Sequence, residues 1–240
     1  MAEWRFWRGW SEEALAARLA ALEVLERNFD PEAAGNRALG WRHHASETVV
    51  ARERTGPPEP HGAFARARAA VARYEFSDPR IVTGHFDPAE PLAGRRMLLE
   101  MKALGFRFLA GTVVGAVREE STATETVFGF RYDTLRGHIE RGWEWFLVTK
   151  AHPTGDVRFR IAADWQPGEF PNWWSRIGFG LLGIRYQRRW TGRAHARLRR
   201  LLEAHAAGPS GHALGTTAAA PGRLLHEGPE TIGNAAEEER

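Results

Sequence analysis

The chain has 240 residues, 43% hydrophobic and 11% aromatic, enough to bury one large core or two small ones. It contains no cysteine, which excludes disulfides, thiolate nucleophiles, iron–sulfur clusters and cysteine-rich zinc sites together. Its 33 basic residues, all arginine except Lys102 and Lys150, exceed the acids by three, so a sequence pI of about 9.8 accompanies a modest charge at neutral pH.

The opening segment, from Met1 to Trp10, lacks the uninterrupted apolar core of a signal peptide, and Glu12 and Glu13 follow it. No run approaches the roughly 18 apolar residues that a membrane span needs, so a cytoplasmic protein is expected. Ser11 can cap a helix carrying Leu15, Leu19, Leu22 and Leu25 at helical spacing, ending near Asn28 and Phe29. A β-branched strand is expected at 45–54, and Pro57, Pro58 and Pro60 break the chain after it. A helix over 62–74 follows, with Phe64, Ala67, Val71 and Tyr74 on one stripe.

From Arg80 the periodicity changes to that of strands, expected at 81–86, 95–101, 105–118, 123–132, 143–150 and 157–165. The last is the clearest: Val157, Phe159, Ile161, Ala163 and Trp165 alternate with Arg158, Arg160, Ala162 and Asp164, the pattern of a sheet with one buried face. A Pro/Gly/aromatic linker over 166–183 leads to a helix at 184–207, whose stripe is Tyr186, Trp190, Ala194, Leu198, Leu201 and Leu202. Gly192 weakens it slightly. Sequential strands usually pair as neighbours, so the six form an antiparallel meander, and the long helix can cover its concave face. The expected architecture is α+β, a curved antiparallel sheet gripping a long C-terminal helix. It divides into an N-terminal helical extension over 1–38, a helix-grip domain over 39–207, and a disordered tail over 208–240.

The segment Phe128-Gly-Phe-Arg-Tyr-Asp-Thr-Leu-Arg-Gly-His138, followed by Gly142-Trp-Glu-Trp-Phe146, resembles the signature of an uncharacterised family, the domain of unknown function numbered nineteen-ninety. The matching positions are Gly129, Phe130, Tyr132, Thr134, Leu135, Gly137, His138, Gly142, Glu144 and Phe146, and Gln187-Arg-Arg-Trp190 resembles the opening of the family's last helix. Two positions depart: Asp133 stands where Gly is expected and Arg136 where Pro is usual, so the local turn should differ. The resemblance implies a relation to the helix-grip superfamily of lipid-transfer and pollen-allergen proteins. It brings no established activity.

Tyr132, His138 and Glu144 surround one expected hairpin, where a phenol, an imidazole and a carboxylate could orient a ligand or perform acid–base work. Glu144 shares a strand face with Phe146 and Val148, so it needs a partner, for which Arg131 and Arg160 are the candidates. Gly178-Phe-Gly-Leu-Leu-Gly183 spells a dinucleotide motif, but no buried strand precedes it and no βαβ unit follows. None of the ten histidines makes a zinc pattern; His43 and His44 should point to opposite faces of a strand. No cofactor, metal or catalytic residue is assigned, and a nucleic-acid partner, which would need the bases gathered on one face, is not expected.

The first functional reading is a non-enzymatic binder of a small hydrophobic or amphipathic molecule, held between sheet and terminal helix. Its wall would be Phe128, Phe130, Tyr132, Phe146, Ile161 and Trp190, with Glu144 and His138 as polar orienters. The second is a cyclase- or hydrolase-type enzyme using Tyr132, His138 or Glu144. The third is weak contact with a membrane surface through Trp173, Trp174 and the basic C-terminal helix.

Overall fold

The computed structural model describes residues 3–103, 105–168 and 173–206, with side chains outside 173–185 and 205–206. In chain order the elements are strand β1 (Glu3–Phe6), helix α1 (Glu12–Ala20), β2 (Arg42–Arg52), α2 (Ala63–Ala72), β3 (Val82–His85), β4 (Arg96–Ala103), β5 (Phe106–Ser121), β6 (Glu125–Thr134), β7 (Glu140–Ala151), β8 (Asp156–Pro167) and α3 (Trp173–Ala206). Strands β3 to β8 form the expected antiparallel meander, and β2 joins its far end beside β8. Shifts of register at Val49/Ala51 and Val114/Ala116 mark bulges, which increase the local bend of a strand.

The alternation along β8 sets the two faces of the sheet. Val157, Phe159, Ile161, Ala163 and Trp165 are buried, while Arg160 is exposed. Helices α2 and α3 cover the concave face. The stripe Phe64, Ala67, Val71 and Tyr74 is buried there, as are Trp190, Ala194, Leu198 and Leu202. Hydrogen bonds to the segment between α2 and β3 locate α3: the Tyr186 hydroxyl donates to Ile81 O (2.9 Å) and Trp190 Nε1 to Ser77 Oγ (3.2 Å). Arg193 donates to Asp78 (2.9 Å) and Arg197 to Glu75 O (2.6 Å), so part of the arginine-rich face clamps the helix instead of facing solvent. Burial would raise the Asp78 pKa, but hydrogen bonds from Arg80 and Arg193 outweigh it and hold the carboxyl well below its ordinary range.

Helix α3 begins at Trp173, so much of the stretch expected to be linker is helical. The glycine motif over 178–183 lies inside that helix, which leaves no strand–loop–helix turn to cradle a phosphate. The side chains of Trp173 and Trp174 and the tail over 208–240 lie outside the described residues. Gly192 is exposed in α3, and a Cβ there would meet nothing within 4 Å. Gly192→Ala should therefore stabilise the protein by about 0.5–1 kcal/mol through helix propensity alone, read as a rise in melting temperature.

The N-terminal extension covers the convex face. Ser11 caps α1 by accepting from Ala14 N, as expected, but α1 ends at Ala20 and passes into a short 3₁₀ turn. Leu22 packs with Leu98, Leu109 and Leu135. Both departures from the family signature face this extension: buried Asp133 accepts from Arg27 Nε (2.6 Å) and Arg131 Nη2 (3.0 Å), and Arg136 N donates to Glu26 O (2.9 Å). A proline at 136 could not make that bond. The Asp133 carboxylate occupies the space a Cβ on Gly115 would take. Strand β1, which no periodicity announced, pairs with β5 from Glu3↔Leu109 to Phe6↔Phe106, beyond the end of β6.

Candidate functional site

Strands β6 and β7 pair Phe128 with Val148, Phe130 with Phe146, and Tyr132 with Glu144 across neighbouring strands. All face α2 and α3, so the polar pair stands at one end of an aromatic row. The space beneath α3 beside that row is filled. Phe76, from the segment between α2 and β3, lies 4.8 Å from Phe146 and 5.1 Å from Phe159 between ring centres. Phe130 and Trp190 are 5.2 and 6.2 Å from Phe146, and Phe130, Phe146 and Ile161 are fully buried. Four of the expected wall residues, Phe130, Phe146, Ile161 and Trp190, are thus packed core. Phe76 occupies the space expected to lie open between them, and its connecting segment has no periodicity to announce it. Phe128 lies elsewhere, beneath Arg68 in a shallow groove of about 390 Å³ between α2 and strands β5 and β6.

What stays open is the polar end. A cavity of about 20 Å³, inside a depression of about 260 Å³, is lined by Tyr132, Thr134, Glu140, Gly142, Trp143, Glu144, Ala163, Trp165 and Gln187. This is room for one water-sized group. Gly142 has φ of +148° and a Cβ there would collide with Asp164 O, so only glycine lets β7 and β8 approach at this wall. Thr134 Oγ1 accepts from Gly142 N (2.8 Å) and donates to Asn28 Oδ1 (2.6 Å), tying the cavity floor to the extension.

Tyr132 donates to Glu144 Oε2 at 2.5 Å. The partners suggested for Glu144 are not used: Arg131 is on the opposite face with Asp133, and Arg160 is in solvent. Burial raises the Glu144 pKa to about 8; the Tyr132 hydrogen bond opposes this and the nearby Glu140 adds to it. Burial likewise raises Glu140 to about 7 and, with Glu144 beside it, raises Tyr132 well above its ordinary value. At neutral pH Glu144 therefore holds a proton. His138 is buried but joins neither Tyr132 nor Glu144: its Nδ1 accepts from Glu140 N (3.0 Å), leaving the proton on Nε2, which has no partner. Burial lowers its pKa to about 4, so the ring is neutral.

Of the expected site residues, Tyr132 and Glu144 line the cavity and the others do not. Glu140, Thr134, Trp165 and Gln187 went unrecognised in the sequence. The signal for Glu140 was parity, since residues 140, 142 and 144 share one strand face and put two acids on either side of a glycine. Outside this site, Ser46 Oγ lies 2.8 Å from His195 Nε2 where α3 meets β2. Among the described residues no group of three His, Asp or Glu side chains converges to hold a metal, and no helix is long and apolar enough to cross a membrane.

No curated protein matches this chain. Among solved structures, that of Ara h 8.0201 is similar at 11% identity and a TM-score of 0.42, covering 69% of this chain and 99% of that chain. The sequence profile described as "Domain of unknown function (DUF1990)" matches residues 30–197, and the chain belongs to that family.

Proposed function

We propose that this is a cytoplasmic, non-enzymatic domain that binds a small amphipathic molecule at the Tyr132–Glu144 end of the sheet–helix interior. The observation that carries this reading is the cavity itself, where polar groups converge at the open end of an otherwise filled aromatic core. The carboxyl of Glu144 favours a polar head in the cavity, and the surrounding depression of about 260 Å³ leaves room outside it for an apolar tail. His138 stands apart from Tyr132 and Glu144, which leaves the enzymatic reading without a connected acid–base chain. The absence of cysteine suits a reducing compartment.

Native mass spectra of the full chain, purified from its own host, should show a small organic adduct that leaves on unfolding. Ala163 lines the cavity opposite Glu144 across the β7–β8 pair, so Ala163→Leu should fill it and abolish the adduct while the fold persists. Spectra of wild type and A163L that match would overturn the reading.

A further inference from the structure

Where α3 meets the edge strand β2, the sequence puts bases on both sides of one seam. Arg188, Gly192, His195 and Arg199 recur three or four residues apart, so they share one face of the helix. That face meets β2: Ser46 Oγ lies 2.8 Å from His195 Nε2, and Arg199 Nη2 reaches Thr48 Oγ1 and Val49 O, both at 3.4 Å. Strand and helix therefore run in the same direction here. His44, two residues before Ser46 on the same strand face, stands level with the turn that holds Gly192. β2 is the last strand of the sheet, and Arg188, Gly192 and Arg199 are exposed, so the seam is open to solvent.

Two observations point to a ligand in it. His44 Nε2 and His195 Nδ1 are both buried and both lack a hydrogen-bond partner, which folded proteins rarely tolerate. A Cβ on Gly192 would meet nothing within 4 Å, so the helix leaves open space on this face. The charge around that space has one sign. Among the described residues Arg188, Arg199, His44 and His195 form no ion pair with a carboxylate; Glu47, on the other face of β2, faces Arg158, and Asp164 faces His43. Burial, then His43 and Arg188, lowers the His44 pKa, and burial, then Arg199 and His44, lowers that of His195 to about 4. Each neutral ring still carries one N–H, and a Ser46 hydroxyl donating to His195 Nε2 leaves that proton on Nδ1.

We infer that this seam binds a phosphate group, held at the Gly192 gap by His44 and His195 and flanked by Arg188 and Arg199. Donors arrive from both elements: two ring N–H groups, two guanidinium forks and the Thr48 hydroxyl. They exceed what the two oxygens of a carboxylate can engage and suit a tetrahedral oxyanion. A metal ion could take the two ring nitrogens, but the guanidinium groups on either side repel it. The seam shares no residue with the Tyr132–Glu144 cavity and does not depend on it.

Isothermal titration of the full chain at pH 7 and about 0.15 M salt, where diffuse attraction is screened, tests this with inorganic phosphate, glycerol 3-phosphate, acetate and zinc ion. Phosphate or its soluble ester should bind, and more tightly than acetate. Sedimentation with vesicles separates the sources: binding that needs phosphatidic acid and that inorganic phosphate displaces identifies a lipid head. Arg199→Gln and His44→Gln should each weaken phosphate binding by about tenfold or more, the effect of losing a charge-assisted or buried donor. Gly192→Leu, which fills the gap with a strong helix former, should abolish binding while the melting temperature holds. Arg158→Gln, which removes the same charge from the other face of β2, should change nothing. Failure of phosphate to bind in any form overturns the inference, as does acetate binding equally well. Binding that survives G192L, or that R158Q weakens as much as R199Q, overturns it too. Zinc binding that H44Q abolishes, without phosphate binding, would make the seam a metal site instead.

Discussion

Replacing Lys150 by Met should destabilise the protein by about 3–5 kcal/mol, the cost of leaving a buried carboxylate without its cation. Lys150 is fully buried in β7, and its ammonium donates to Glu53 Oε2 and to Arg54 O, both at 2.7 Å. Glu53, just past the end of β2, in turn accepts from Phe64 N (2.6 Å) in the first turn of α2 and from Glu59 N (3.2 Å). Gly62, the N-cap residue of α2, has no side chain to do this, and a Cβ there would strike the Glu53 carboxylate. One carboxylate thus substitutes for the missing cap, and Lys150 compensates its burial. Burial alone would raise the Glu53 pKa, but the Lys150 bond and the two amides outweigh it and lower it.

The double variant Lys150→Met with Glu53→Gln removes both charges and keeps an oxygen for Phe64 N. It should lose less stability than K150M alone, with a coupling of at least about 1 kcal/mol in denaturant titrations. Equal losses for the single and double variants would show that Lys150 contributes packing and nothing more. The K150M defect should also shrink in acid, where Glu53 takes up a proton.

Helix–sheet organisation was legible because long periodic patterns report burial directly. The β8 alternation and the α3 stripe each name the face that packs. The polar staples were less legible. Lys150 shares a strand face with Glu144, Phe146 and Val148, so parity places it inside, but its partner lies 97 residues away, just past the end of β2. Glu144 was found through the hairpin motif, and its neighbour Tyr132 with it. The filled interior was not foreseeable, since Phe76 enters from a connecting segment with no period of its own. Strand β1 escaped for a related reason: four residues are too few to show alternation against a background of arginine and tryptophan.

Stability should be nearly level between about pH 4.5 and 6.5 and should then fall towards pH 8, unlike a protein whose buried acids are all paired. Glu144 is the largest cause. Its pKa is raised from 4.5 to about 8 by burial, so the folded chain holds a proton there that the unfolded chain has released. The Glu144 contribution is fully present below pH 4.5 and is lost as pH rises through 8, on the order of 5 kcal/mol at about 1.4 kcal/mol per unit. Half-buried Glu140, raised to about 7, acts in the same direction and more weakly. His138 has the opposite sign. Burial lowers its pKa from 6.5 to about 4, so the unfolded chain binds the extra proton and stability rises with pH across that interval. His195, also lowered to about 4 by burial with help from Arg199 and His44, adds a smaller gain. The two signs offset each other up to pH 6.5; above it only the glutamates titrate. Glu144→Gln should remove most of the alkaline decline, making the variant several kcal/mol more stable than wild type at pH 9 and about equal to it at pH 5. Denaturant titrations at these two pH values decide the matter: an alkaline decline that E144Q leaves unchanged would mean that Glu144 is already ionised in the folded state, paired with a cation the protein itself provides.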